Sequence, residues 1–320
     1  MKSLAILFAG QGAQSLGMGL SALTQTPQLE SLFSNIQKQL DFDLKGILSG
    51  QLPGLDQTRY TQPSLVATSI LYYQQLQSLL PIKPSYFLGF SLGEYTALFA
   101  SGHTDLATTL QLIQHRAKAM ASSSEANPGM MAAILGLSFV TLQSICQVIS
   151  REGHVVVIAN INSPGQLVIS GHALAVKEAM LEATKQGAKR TIALNVSGAF
   201  HSPLMQSASS AIASFCRTIT FKPSHTPMIF NWTGKPLPTL KDLPIYLTNQ
   251  VKASVQFEAS IQYLTQQGIN HFLEIGPGNV LTNLVKKINP DARVVSFNGV
   301  DDLQTIVPDR LGLFCYPAGR

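Results

Sequence analysis

Apolar and polar positions fall in short blocks along the chain, and the blocks read by turns as strands and helices. Leu4 to Ala9 is an unbroken apolar run. It predicts a buried strand over residues 3–9 that runs straight into Gly10-Gln11-Gly12-Ala13-Gln14. A helical stretch follows, then an apolar helix over 65–80 that carries Leu65, Ile70, Leu71 and Leu76. Tyr86-Phe87-Leu88-Gly89 predicts a second short strand. Between Ser91 and Ser101, Leu92, Tyr95, Leu98 and Phe99 recur at helical spacing, and Gly102 supplies the stop. Asp105 or Thr104 caps the next helix, whose buried face is Leu106, Leu110, Ile113, Ala117 and Met120.

The pattern changes at Ala121-Ser122-Ser123-Ser124-Glu125-Ala126-Asn127-Pro128-Gly129, which reads as a linker. Beyond it come a strand over 130–137, a helix over 140–149, strands over 155–161 and 166–170, a helix over 173–186 and a strand over 189–196. That β-α-β-β-α-β order is ferredoxin-like. After Ser197 the pattern predicts a helix over 201–217, a strand over 228–231, a helix over 257–267, a strand over 271–275 and a helix over 280–288. Strands that alternate with helices imply a parallel sheet. The expected organisation is α/β: a large unit from residues 1–124 and 197–320, interrupted by a small ferredoxin-like unit of residues 125–196. The tail after Asp302 adds nothing.

Composition narrows the class. Hydrophobic residues make up 45% of the 320 and charged residues 12%, which fits a sizeable core and excludes a disordered chain. The net charge is +5, but Lys and Arg are scattered, so no nucleic-acid footprint is indicated. A mildly basic surface suits an acidic protein or a phosphorylated cofactor. Cys146, Cys216 and Cys315 form no CxxC and cannot pair completely, so reduced thiols and a cytoplasmic location are expected. The first apolar run is short for a signal peptide, and no stretch is long enough for a membrane span.

The strongest local signal is Gly89-Phe90-Ser91-Leu92-Gly93, a G-x-S-x-G between a predicted strand and a predicted helix. That context suits a nucleophile elbow: a sharp turn exposes the serine hydroxyl, and the helix N-terminus offers N–H groups to a developing oxyanion. It makes the large unit α/β-hydrolase-like. An ordinary glycine-rich helix start is the alternative. A serine nucleophile needs a base. Of seven histidines, His201 stands where the small unit returns to the large one, a junction of the kind that lines clefts; from position alone, a loop histidine without catalytic duty is the better reading. Gly10-Gln11-Gly12 is not a dinucleotide fingerprint, because Ser15 occupies the third glycine position. Its backbone suits half of an oxyanion hole, or simply a tight turn.

Eight segments in order resemble the malonyl-CoA:acyl carrier protein transacylases of bacterial fatty acid synthesis. They are Gly10-Gln11-Gly12-Ala13-Gln14, Thr61-Gln62-Pro63, Gly89-Phe90-Ser91-Leu92-Gly93-Glu94-Tyr95, Asn162-Ser163-Pro164-Gly165-Gln166, Gly187-Ala188-Lys189-Arg190, Phe200-His201-Ser202, Asn249-Gln250-Val251 and Glu274-Ile275-Gly276-Pro277-Gly278. The likeness spans about residues 3 to 290 and extends to polyketide synthase acyltransferase domains. It implies a Ser–His dyad of Ser91 and His201, with the backbone carbonyl at Gln250 orienting the histidine. It implies an oxyanion hole at the N–H groups of Gln11 and Leu92, and a clamp for the substrate carboxylate at Arg116. By helical position alone Arg116 reads as a solvated charge.

The resemblance also assigns Gln62, Asn162 and Phe200 to substrate binding, with Phe200 crowding an α-methyl group. It makes Lys189, Arg190, Lys286 and Lys287 candidates for docking an acidic carrier protein. It implies no metal, no cofactor, no nucleic acid and no membrane, with malonyl-CoA and carrier protein as partners of a monomer. Phe90 departs from the pattern, which usually has His there; packing or acyl-pocket consequences are expected rather than loss of the nucleophile. A serine thioesterase or other hydrolase is the competing enzyme reading, and a non-catalytic acyl-CoA or carrier-protein binder is the other.

Overall fold

The computed structural model describes residues 3–224 and 226–303. The first part of the chain forms β1 (Leu4–Phe8), α1 (Leu20–Gln25), α2 (Leu29–Gln39), α3 (Leu44–Ser49), α4 (Thr58–Leu79), β2 (Tyr86–Gly89), α5 (Gly93–Ser101) and α6 (Leu106–Ala126). The middle forms β3 (Met130–Leu135), α7 (Phe139–Ile149), β4 (Val156–Ser163), β5 (Gln166–Gly171), α8 (Ala173–Lys185) and β6 (Arg190–Ala193). The last part forms α9 (Gln206–Cys216), β7 (Met228–Phe230), β8 (Lys235–Pro236), α10 (Leu243–Gln250), α11 (Phe257–Gln266), β9 (His271–Ile275), α12 (Val280–Ile288) and β10 (Arg293–Phe297).

Two sheets result. The larger has the order β10-β9-β1-β2-β7-β8 and is parallel except for β8. Strand β1 lies inside it and is buried at all five positions, which is why its sequence is apolar without alternation. Leu4, Ile6 and Phe8 face a core with Leu65, Ile70 and Leu71 of α4. Ala5 and Leu7 face a second core with Ile261 and Leu264 of α11 and Leu281 and Leu284 of α12. The smaller sheet is antiparallel, with the order β4-β5-β3-β6. Ala132, Ile134 and Ile169 on one face pack with Leu142 of α7 and Val176 of α8. Met131 and Val168, which point the other way, join the core of the larger sheet.

Several expected boundaries move. The serine-rich stretch read as a linker is the end of α6, which continues to Ala126. Ser123 Oγ donates to the Leu204 carbonyl at 2.9 Å and Ser124 Oγ to the Met120 carbonyl at 2.8 Å. A side chain at Gly198 would meet Ser124 Oγ at 1.9 Å, so these small residues allow a close crossing. Helix α4 starts at Thr58 rather than 65, because its first turns bury polar Thr61, Gln62 and Ser64. The helix expected over 201–217 starts at Gln206; His201 precedes it, and Ser202 caps the 3-10 turn between. The last strand of the small sheet covers only Arg190–Ala193 of the expected 189–196. Helix α10 and strand β10 answer to no expectation. Cys315 and nearly all of the tail lie outside the described residues; Cys146 and Cys216 are free and buried. Among the described residues no helix is long and apolar enough to cross a membrane.

The turn from β2 into α5 is packed backbone on backbone. A Cβ at Gly89 would lie 1.9 Å from the Gly93 backbone, and one at Gly93 would lie 2.2 Å from the Phe8 carbonyl oxygen. Neither contact has a flexible side chain to move. Gly93→Ala is therefore expected to cost at least about 3 kcal/mol in urea unfolding, at the severe end of overpacking. A loss under about 1 kcal/mol would show that β1 and α5 can separate without penalty.

Candidate active site

Strand β2 ends at Gly89 and α5 begins at Gly93, so Ser91 sits at the apex of the turn. Its φ is 48°, and His201 has a φ of 57°; among the described residues no other non-glycine residue has a positive φ. Each left-handed side-chain-bearing residue costs about 1–3 kcal/mol and persists only where its surroundings hold it. The two strained residues face each other. Ser91 Oγ lies 2.7 Å from His201 Nε2, and His201 Nδ1 lies 2.8 Å from the Gln250 carbonyl oxygen. A carbonyl oxygen can only accept, so Nδ1 carries the ring proton and Nε2 turns its lone pair to the serine hydroxyl.

Arg116, on α6, is 1% exposed. Its Nη2 donates to Ser91 Oγ and to Gln250 Oε1, each at 3.2 Å, and its guanidinium lies 5.3 Å from the centre of the Tyr95 ring. The Gln250 Nε2 donates to the Ser91 carbonyl at 2.7 Å. Gln250 thus touches serine, histidine and arginine at once. No carboxylate forms an ion pair with Arg116 among the described residues, and its Nε has no partner. Burial pushes the nearby Glu94 carboxyl up to about 8, against the opposing pull of the Asn231 N–H and the Arg116 cation. Burial, and then the Arg116 cation, push His201 down to about 4, so the imidazole is neutral. An unpaired buried cation costs several kcal/mol, and an anion in the pocket would offset that cost.

The pocket has a volume of about 180 Å³ and lies between the two sheets. Gln11, Phe90, Ser91, Arg116, Phe200 and His201 line one side; Met131, Asn160, Asn162, Gln166 and Val168 line the other. Phe90 packs edge-on against Phe257 at 5.4 Å and fills pocket wall. Gln62 is buried behind the wall, its Nε2 3.4 Å from Gln11 Oε1. Asn162 is buried with its Oδ1 unpartnered. The backbone N–H groups of Gln11 and Leu92 have no protein acceptor among the described residues. Lys189, Arg190, Lys286 and Lys287 are exposed, and Lys287 Nζ donates to Gln166 Oε1 at 2.9 Å at the pocket's edge. No cluster of three or more His, Cys, Asp or Glu suited to a metal ion occurs among the described residues.

A family model for the acyl transferase domain matches residues 6–298. The chain belongs to the acyl transferase domain family. The malonyl CoA-acyl carrier protein transacylase of Bacillus subtilis (strain 168) is 36% identical over 307 residues, 96% of this chain and 96% of that protein. The crystal structure of MCAT from Streptococcus pneumoniae matches with a TM-score of 0.90 at 38% identity, covering 95% of this chain and 99% of the other. A malonyl-transacylase solved in complex with its type II PKS acyl-carrier protein matches with a TM-score of 0.90 at 34% identity, covering 95% and 98%.

In this acyltransferase, the residues that sequence reasoning left without a role are Asn231 and Glu94. Both are 1% exposed and both brace the elbow. Glu94 stood inside the motif, but nothing in its neighbours marks it as buried. Asn231 stood at the end of a predicted strand, where a polar residue reads as the start of a turn.

The neutral form of His201 is the one able to take the serine proton, and its pKa lies below the ordinary value for histidine. The acid limb of acyltransferase activation therefore moves down with it. The labelling rate of Ser91 by a fluorophosphonate in brief pH-jump exposures is expected to hold from about pH 8 to about pH 5, then to fall roughly tenfold per unit below about pH 4. A midpoint near the ordinary histidine value would show that burial and Arg116 do not act on His201.

Proposed function

We propose that the protein transfers a malonyl group from malonyl-CoA to the phosphopantetheine thiol of an acyl carrier protein through a malonyl ester on Ser91. The observation that carries this reading is the buried, unpaired Arg116 whose Nη2 reaches Ser91 Oγ. A carboxylate at the far end of the acyl group would pair with it, whereas an acetyl group would leave it unpaired. The relatives named malonyl CoA-acyl carrier protein transacylase, and the neighbour solved with its carrier protein, support the same donor and acceptor.

The steps follow from the geometry. Ser91 Oγ–H gives its proton to His201 Nε2 while Oγ bonds to the thioester carbon. The oxyanion is received by the N–H groups of Gln11 and Leu92. The C–S bond breaks, and coenzyme A departs as a thiol with the proton from His201. The carrier thiol then loses its proton to His201, its sulfur attacks the ester, and Ser91 leaves with the proton. The cycle is ping-pong and calls for no metal or cofactor of the enzyme's own. Phe200 crowds an α-methyl group, Asn162 faces the donor, and Gln62 acts by holding Gln11. The larger unit, expected as residues 1–124 and 197–320, is the hydrolase-like part and 125–196 the ferredoxin-like insert; the order β4-β5-β3-β6 supports such an insert, with its start moved past Ala126 where α6 ends. We place the enzyme in the cytoplasm as a monomer that supplies fatty acid synthesis. The neighbour's PKS carrier keeps a polyketide pathway as the second reading of the acceptor.

Arg116→Ala is expected to slow malonyl transfer about a hundredfold, the equivalent of roughly 3 kcal/mol of charge-assisted contact, while acetyl transfer changes by less than about fivefold. Equal losses for both acyl groups would remove the clamp. Ser91→Ala should take up no radiolabelled malonyl, and label retained on that variant would remove the nucleophile. Arg190→Glu and Lys286→Glu together are expected to raise the carrier-protein KM several-fold at low salt with kcat unchanged. An unchanged KM would clear that face of a docking role.

A further inference from the structure

The ladder between β2 and β7 ends with Leu88 opposite Ile229. One residue later β2 turns into the elbow, and on that side Gly89 C=O and Ser91 N–H have no strand neighbour left. Taking Ser91 as the nucleophile, as above, we infer that Asn231 is a positioning residue whose carboxamide stands in for the missing strand and holds Ser91 in its attacking conformation. Asn231 is the residue directly after β7. Its Nδ2 donates to the Gly89 carbonyl at 2.6 Å, and its Oδ1 accepts the Ser91 N–H at 2.5 Å. Its own N–H donates to Glu94 Oε2 at 2.7 Å, in the first turn of α5, and its carbonyl accepts the Gln256 N–H at 2.8 Å.

Every polar group of Asn231 is therefore committed, and the brace closes from β7 through the elbow to α5. A carboxamide offers a donor and an acceptor on one rigid plane at any pH, which the Gly89 C=O and Ser91 N–H pair demands. Gln250 holds the Ser91 carbonyl from another direction. Together they fix both peptide groups around a φ that serine does not favour. There is a second consequence. With the Ser91 N–H occupied by Asn231, the Leu92 N–H is the elbow amide left for an oxyanion. Asn231 neither lines the pocket nor hydrogen-bonds to Arg116 or His201, so its effect runs through serine geometry and not through substrate contact.

The test measures the rate and the final stoichiometry of malonyl-serine formation by rapid-mix intact mass, in wild type, Asn231→Ala and the isosteric Asn231→Asp. Affinity for malonyl-CoA is measured in parallel on the Ser91→Ala background. Asn231→Ala is expected to reach full stoichiometry at least a hundredfold more slowly, with affinity changed less than threefold. Asn231→Asp, which keeps an acceptor for the Ser91 N–H but can donate to Gly89 only while protonated, is expected to fall between the two and to slow further as the pH is raised. Reduced stoichiometry at the wild-type rate, a wild-type rate in either variant, or failure of both to fold would overturn the positioning role. Absence of malonyl label on wild type would instead sink the malonyl-serine reading itself.

Discussion

The contact between Ser91 Oγ and His201 Nε2 joins residues 110 positions apart, and both ends of it sit in unfavourable backbone. Neither strained φ is stable on its own merits, so the surrounding architecture has to hold each in place. On the serine side, the work is done by a parallel sheet that drives β2 into a backbone-tight turn and by side chains that seize both Ser91 peptide groups. On the histidine side, the His201 N–H donates to the Val251 carbonyl at 3.0 Å and the ring is steered by the carbonyl one residue earlier. Helix α10 and the segment after it therefore serve the base, and the Gln250 side chain links that segment back to the serine. The small antiparallel sheet separates the two halves in sequence without separating them in space.

The electrostatics follow from the same burial. A guanidinium withdrawn from water beside an imidazole withdrawn from water gives a neutral base, because burial and the neighbouring cation both lower His201. An anion seated on Arg116 cancels the second of the two causes that depress His201. A substrate carboxylate would thus pair the cation and strengthen the base in one event. A monocarboxylic acyl group would do neither, so under the proposed clamp selectivity and activation would share one origin.

The sequence made the strands β1 and β2 legible because burial on both faces turns them into short apolar runs. The elbow was legible because its glycines are demanded by backbone contact, and Ser91 and His201 followed from it and from the family likeness. Arg116 was not legible from its helix: periodicity reports which face is apolar, not whether a charged residue on α6 has been covered by α4, α5 and α9. Ser122 to Ser124 imitated a linker because small polar residues suit a close helix crossing as well as they suit a loop. Helix α10 begins with Leu243-Pro244 after a capping turn and is too short for its periodicity to stand out. Strand β10 is an edge strand with only partial burial, which weakens its apolar signal.

Strand β4 shows how the fold reconciles a core with a polar pocket. Strict alternation would set Ile158 and Asn160 on one face. Register shifts between Ile158 and Asn160, and between Ile161 and Ser163, break the alternation twice. Ile158 and Ile161 can then both pack toward α7 and α8, while Asn160 and Asn162 both reach the pocket. An exposed edge strand invites stray pairing, and bulges of this kind help to discourage it. Here the exposed edge is taken up by Val255, whose N–H donates to the Ala159 carbonyl at 2.8 Å and whose carbonyl accepts the Ile161 N–H at 2.9 Å. Val255 lies just before α11 and only four residues after Val251, the partner of His201. The strand that aims the pocket's asparagines is therefore tied to the segment that aims the base, and the two walls of the cleft are set by one stretch of backbone.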